Sequence, residues 1–104
     1  MSDETTVTTL AVALESVAAR LDVAPTTVGE MTTWSVGDRI FATLGRDVAS
    51  FRLDGPIAAA ARRTPDTSGS DRGADWVAFT PPVLDPHAVD RIDAWFEAAH
   101  RRAG

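Results

Sequence analysis

The chain contains no cysteine and no lysine, and it has no long apolar run. Without cysteine there are no disulfides, thiolate nucleophiles or thiolate metal sites, and the composition suits a reducing cytosol. No stretch approaches the ~20 apolar residues that cross a bilayer. The opening MSDETTVTT carries acids and hydroxyls where a secretory leader needs basic and apolar residues. A soluble cytoplasmic protein with no membrane contact is therefore expected. Catalytic signatures are missing too. No serine sits in a G-x-S-x-G elbow, and no glycine motif cradles phosphate. His87 and His100 lie about four helical turns apart, too far to share a metal. Asp66, Ser68, Ser70 and Asp71 only distantly resemble a calcium loop, because Val77 stands where the bidentate acid is required. The sequence therefore predicts a non-enzymatic protein without cofactor or metal.

What is present is an ordinary globular composition. The 104 residues, 44% hydrophobic and 24% charged, predict one domain over 1–104 with a single core. A monomer is expected. The net charge of −5 opposes strong non-specific binding to nucleic acid, which depends on neutralising phosphates. The charge is uneven, however. Residues 37–73 hold six of the ten arginines and are slightly positive, so an anion-binding face belongs there.

Val7, Leu10, Leu14, Val17 and Leu21 recur at helical spacing, predicting a first helix from Asp3 or Thr5 to Leu21, ended ahead of Pro25. VGEMTTWSV (28–36) and RIFATL (39–44) flank Gly37 and Asp38, the signal of a two-residue hairpin turn. That turn pairs Val36 with Arg39 and Trp34 with Phe41. A three-residue loop at 45–47 would then pair Leu44 with Val48 and Phe41 with Phe51. One face thus collects Trp34, Phe41 and Phe51 with Val36, Leu53, Thr43 and Ala49. The other is more mixed, with Thr33, Ser35, Ser50 and Arg52 beside Met31, Ile40, Leu44 and Val48. Residues 55–64 predict a short helix with Pro56 at its start. Residues 65–74 predict a polar loop, and 75–80 a fourth strand. Asp85 and Pro86 open a last helix whose stripe is Val89, Ile92, Trp95, Phe96 and Ala99. The order is helix, three strands, helix, strand, helix. It predicts an α+β domain with a four-stranded antiparallel sheet and helices on one face. Three apolar helix stripes need an apolar sheet face, and the row of Trp34, Phe41 and Phe51 is the best candidate for it.

The stretch Trp34, Val36, Gly37, Asp38, Arg39, Ile40, Phe41, Ala42 resembles the "f-x-v-g-x-K-x-F-a" signature of the MmcQ/YjbR-like proteins. Asp75, Trp76 and Val77 with the closing helix resemble that family's "W-v" strand and last helix. Arg39 stands where the family often has lysine, which keeps the charge. The resemblance covers about residues 5–102. It implies a small α+β domain with wing-like hairpins and a proposed role in binding DNA. On that basis Arg39, Arg46, Arg52, Arg62, Arg63 and Arg72 are candidates for weak, sequence-independent contact with the DNA backbone. Local pairing with Asp38, Asp47 and Asp71 is the competing reading of those arginines. Two alternatives remain. One is a small planar ligand in an apolar pocket near Trp34, Phe41 and Trp76. The other is a protein-interaction module using Asp90, Asp93 and Glu97.

Overall fold

The computed structural model describes residues 9–70 and 72–104. Helix α1 spans Leu10–Arg20, and the Thr9 side chain accepts a hydrogen bond from the Val12 amide. This cap satisfies one amide that the helix itself leaves without a partner. It also starts the helix later than the expected Asp3 or Thr5, while the place of Val7 lies outside the described residues. Leu14 and Val17 are buried, with Leu10 and Leu21 packed against the same core.

The sheet has six strands, not four. They are β1 (Thr26–Val28), β2 (Met31–Val36), β3 (Arg39–Gly45), β4 (Val48–Arg52), β5 (Thr67–Ser70) and β6 (Gly73–Phe79). Every neighbouring pair is antiparallel, in the order β1-β2-β3-β4-β6-β5. Both additional strands lie at edges. The expected run 28–36 is broken by a turn at Gly29 and Glu30, with Gly29 at φ 61°. Gly37, at φ 62°, makes the expected turn between Val36 and Arg39. An L-residue pays about 1–2 kcal/mol to adopt this left-handed conformation, which is why glycine recurs there. The polar segment 65–74 is not a loop throughout: its Thr67–Ser70 part pairs with β6 as a hairpin. Thr67 anchors this strand by donating its hydroxyl to the Ala61 and Thr64 carbonyls.

Two features shift the expected register. Trp34 pairs with Ala42 and Ser35 with Ile40, so Phe41 is an extra residue in a β-bulge. The turn at Arg46 and Asp47 has two residues, not three, and pairs Gly45 with Val48 and Leu44 with Ala49. A slip of one residue exchanges the two faces. Thr43 therefore lies opposite Ser50 on the face away from the aromatics, and Leu44 takes the core side.

Helix α2 (Gly55–Arg62) and helix α3 (Pro86–Ala103) complete the fold. Pro at the start of each, and the Asp85 carboxylate accepting from the Ala88 amide, set their N-termini. All three helices cover one sheet face. Ile92, Phe96 and Ala99 of α3, Ala58 and Ala61 of α2, and Leu14 and Val17 of α1 share a core with Trp34, Phe41, Phe51, Val77 and Phe79. Phe96 sits at its centre, edge-on to Trp34 (5.6 Å) and to Phe41 (5.1 Å). Trp95 is edge-on to Phe79 at 5.2 Å. The aromatic row is thus core. Among the described residues the Trp34 indole N–H finds no acceptor. No helix among them is long and apolar enough to cross a membrane.

Candidate functional site

With every helix on one side, the other sheet face is uncovered. Its centre is a cross-strand row running through all six strands: Thr26, Thr33, Thr43, Ser50, Ala78 and Ser68. Cross-strand partners share a face, so these short side chains make one flat stripe. At a strand spacing of about 4.8 Å the stripe is about 24 Å long. Taller neighbours flank it. Met31 and Val48 rise on one side, while Ser70 and Arg72 rise on the other. Thr43 and Ser50 are therefore recessed, at 2% and 6% exposure, although no helix covers them. The resulting groove encloses about 610 Å³ and has Arg46 and Arg72 on its rim.

The two rim arginines are held differently. Arg46 sits in the β3-β4 turn at φ 42°, and its Nε lies 3.2 Å from Glu30 Oε1, an exposed pair. Arg72 stacks over Trp76 with its guanidinium carbon 5.4 Å from the ring centroid. That contact fixes an otherwise exposed arginine over the sheet. Trp76 is 8% exposed and lies on the uncovered face, because its strand neighbour Val77 points to the core. Trp34, Phe41 and Trp76 consequently do not line one pocket: Trp34 and Phe41 lie under Phe96, with the sheet between them and Trp76.

The remaining arginines divide between two places. Arg62 donates to the Ala74 carbonyl and ties α2 to the start of β6, while Arg63 is exposed at the C-cap of α2. Arg39 and Arg52 come together at the opposite end of the sheet from Arg46. There they join Arg102 of α3 around a second cleft of about 190 Å³. Arg102 is not among the arginines that the sequence singles out. Its signal was available, since the buried sequence Ile92, Phe96, Ala99 continues at helical spacing to positions 102 and 103. The local aspartates beside Arg39 and Arg46 in sequence are not their ion-pair partners; Arg46 instead reaches Glu30. A wider cleft of about 760 Å³ lies between Thr9–Ala11 and residues 80–84.

No family model and no curated protein match the chain. Among solved structures it is similar to the crystal structure of a protein from Pseudomonas syringae, with a TM-score of 0.69 and 9% sequence identity. The likeness covers 93% of this chain and 100% of that one. At that identity the two share a fold, and the likeness carries no statement about ligand or activity. Of the acidic residues Asp90, Asp93 and Glu97, Asp90 is exposed and the other two are paired. Asp93 and Glu97 both face Arg20 of α1, at 3.2 Å and 3.4 Å, and clamp α1 to α3.

Proposed function

We propose that the chain is a non-enzymatic binding domain of the MmcQ/YjbR type whose uncovered sheet face receives a small planar anion. The row Thr43, Ser50, Ala78 carries this reading, because it offers a flat recessed floor bearing two hydroxyls. Met31 and Val48 supply apolar contact for a ring, and Arg46 and Arg72 supply positive charge for an anionic substituent. Trp76 supports Arg72 from below and so positions it.

The reading is tested by titrating aromatic carboxylates against wild type and against Ala78→Leu, which raises the floor, while following tryptophan emission. Saturable quenching in wild type that is lost in Ala78→Leu supports it. Quenching that survives both Ala78→Leu and Arg72→Ala overturns it.

A second reading, weak contact with the DNA backbone, draws support from the exposed Arg39 and Arg63 and from the rim position of Arg46 and Arg72. It is the weaker of the two. Of the six arginines, Arg46 and Arg52 face carboxylates, Arg62 serves a backbone carbonyl, and Arg72 serves a ring. The six arginines lie in three separate places, and the net charge of −5 weakens the long-range field that an extended phosphate backbone needs.

A further inference from the structure

The small cleft at the far end of the sheet differs in kind from the open groove. Its walls are Arg39 at the start of β3, Arg52 at the end of β4, and Arg102 in the last turn of α3, over a floor of Phe41, Ala99 and Ala103. Arg39 pairs with Val36 across the hairpin, and Val36 packs on the core. That places Arg39 on the helix side, facing α3.

Two carboxylates stand near these three guanidinium groups. Arg102 Nε lies 3.0 Å from Asp54 Oδ1, and its Nη2 lies 2.9 Å from Asp75 Oδ2. Arg52 pairs with Trp76 on the uncovered face, and its side chain comes round the end of the sheet to bring Nε within 3.8 Å of the same Asp75 oxygen, beyond hydrogen-bond distance. Arg39 has no ion pair among the described residues. Three cations against two anions leave a positive surplus on Arg39. Arg102 is anchored by the hydrogen bond from its Nη2 to Asp75, while its buried Nε, with Asp54 beside it, makes no hydrogen bond and is left open to a ligand. Arg39 and Arg52 keep N–H groups that no protein carboxylate occupies. A guanidinium presents five N–H donors and matches tetrahedral oxyanions in bidentate fashion.

We propose that this cleft binds a phosphate group, with Arg39 and Arg52 as the direct ligands and Arg102 as the oriented third wall. The apolar floor limits water beneath the anion and strengthens each contact. Asp54 and Asp75 temper the affinity, so the site exchanges its ligand readily. The phosphate is that of a small metabolite, because the cleft admits one such group and no extended strand.

The test is NMR titration of the full chain with inorganic phosphate, using sodium chloride at matched ionic strength as the control. Saturable shifts of the Arg39, Arg52 and Arg102 Nε–H resonances are expected with phosphate and absent with chloride. Arg39→Gln should weaken binding at least tenfold without changing the thermal midpoint, because Arg39 supports no other side chain through an ion pair. Arg102→Gln is avoided as the primary variant, since it strips Asp54 and Asp75 of their partner. Glycerol phosphate and a short DNA duplex form two further arms. Equal shifts with chloride, or phosphate binding unaffected by Arg39→Gln, would overturn the proposal. So would duplex binding without any response to inorganic phosphate or glycerol phosphate, which would assign the arginines to nucleic acid. The open-groove reading is untouched by any of these results, because Arg39, Arg52 and Arg102 do not line that groove.

Discussion

Replacing Phe96 by alanine removes the side chain on which both halves of the core converge. Phe96 is fully buried, touches Trp34 and Phe41 edge-on, and comes from α3 while its partners come from β2 and β3. Truncating a buried phenylalanine costs about 3–5 kcal/mol, part of it from the cavity left behind. A domain of this size has about 5–15 kcal/mol in all, so the substitution takes a large share. At about 4–8 °C per kcal/mol, the thermal midpoint should fall by about 12 to 40 °C. Urea unfolding followed by tryptophan emission gives the same quantity, with an unchanged slope if both states stay equally compact. Phe96→Leu and Phe41→Leu, singly and together, should show a coupling of about 0.5–1.5 kcal/mol for the edge-to-face pair. A loss below about 1 kcal/mol in Phe96→Ala, typical of a surface site, would refute the placement of the aromatic row between sheet and helices.

Gly73 has φ 153°, a conformation that L side chains rarely adopt, while a Cβ there would make ordinary contact with the Trp76 ring at 3.5 Å. Gly73→Ala should therefore cost about 1–3 kcal/mol in chemical denaturation, with altered tryptophan emission; an unchanged midpoint would mean that the β5-β6 turn relaxes freely. For DNA, anisotropy of a labelled duplex should show little binding at about 50 mM salt and none at about 200 mM. Tight binding that Arg39→Ala and Arg46→Ala abolish would reverse the ranking of the two functional readings.

The helices and the first hairpin turn could be read from the sequence because their signals are local. Apolar spacing marks Leu14, Val17, Ile92 and Phe96, and Gly37 with Asp38 marks the turn. Gly29 with Glu30 carries the same turn signal, but the β-branched run around it reads as one strand. The strand Thr67–Ser70 was hidden because threonine, serine and glycine are turn formers. Pairing with β6 and the Thr67 hydroxyl bonds override that preference. The bulge at Phe41 was hidden for another reason: strict alternation cannot place both Phe41 and Ala42 in the core, and both are there. From that point Thr43 and Leu44 exchange faces. The flat row through Thr43, Ser50 and Ala78 therefore depends on a register that periodicity alone did not supply. The phosphate cleft joins residues 39, 52 and 102, whose proximity no short motif encodes.

The placement of Phe96 also has a consequence for synthesis. The row of Trp34, Phe41 and Phe51 is complete in sequence at Phe51, and its cover from α3 follows about 45 residues later. At about 5–20 residues per second, the ribosome takes about 2 to 9 s to cross that interval. During that time Trp34, Phe41 and Phe51 have been made but lack their principal lid. The nascent chain thus passes through a stage in which its stickiest surface is open, and the edge of β4 stays unpaired until β6 follows.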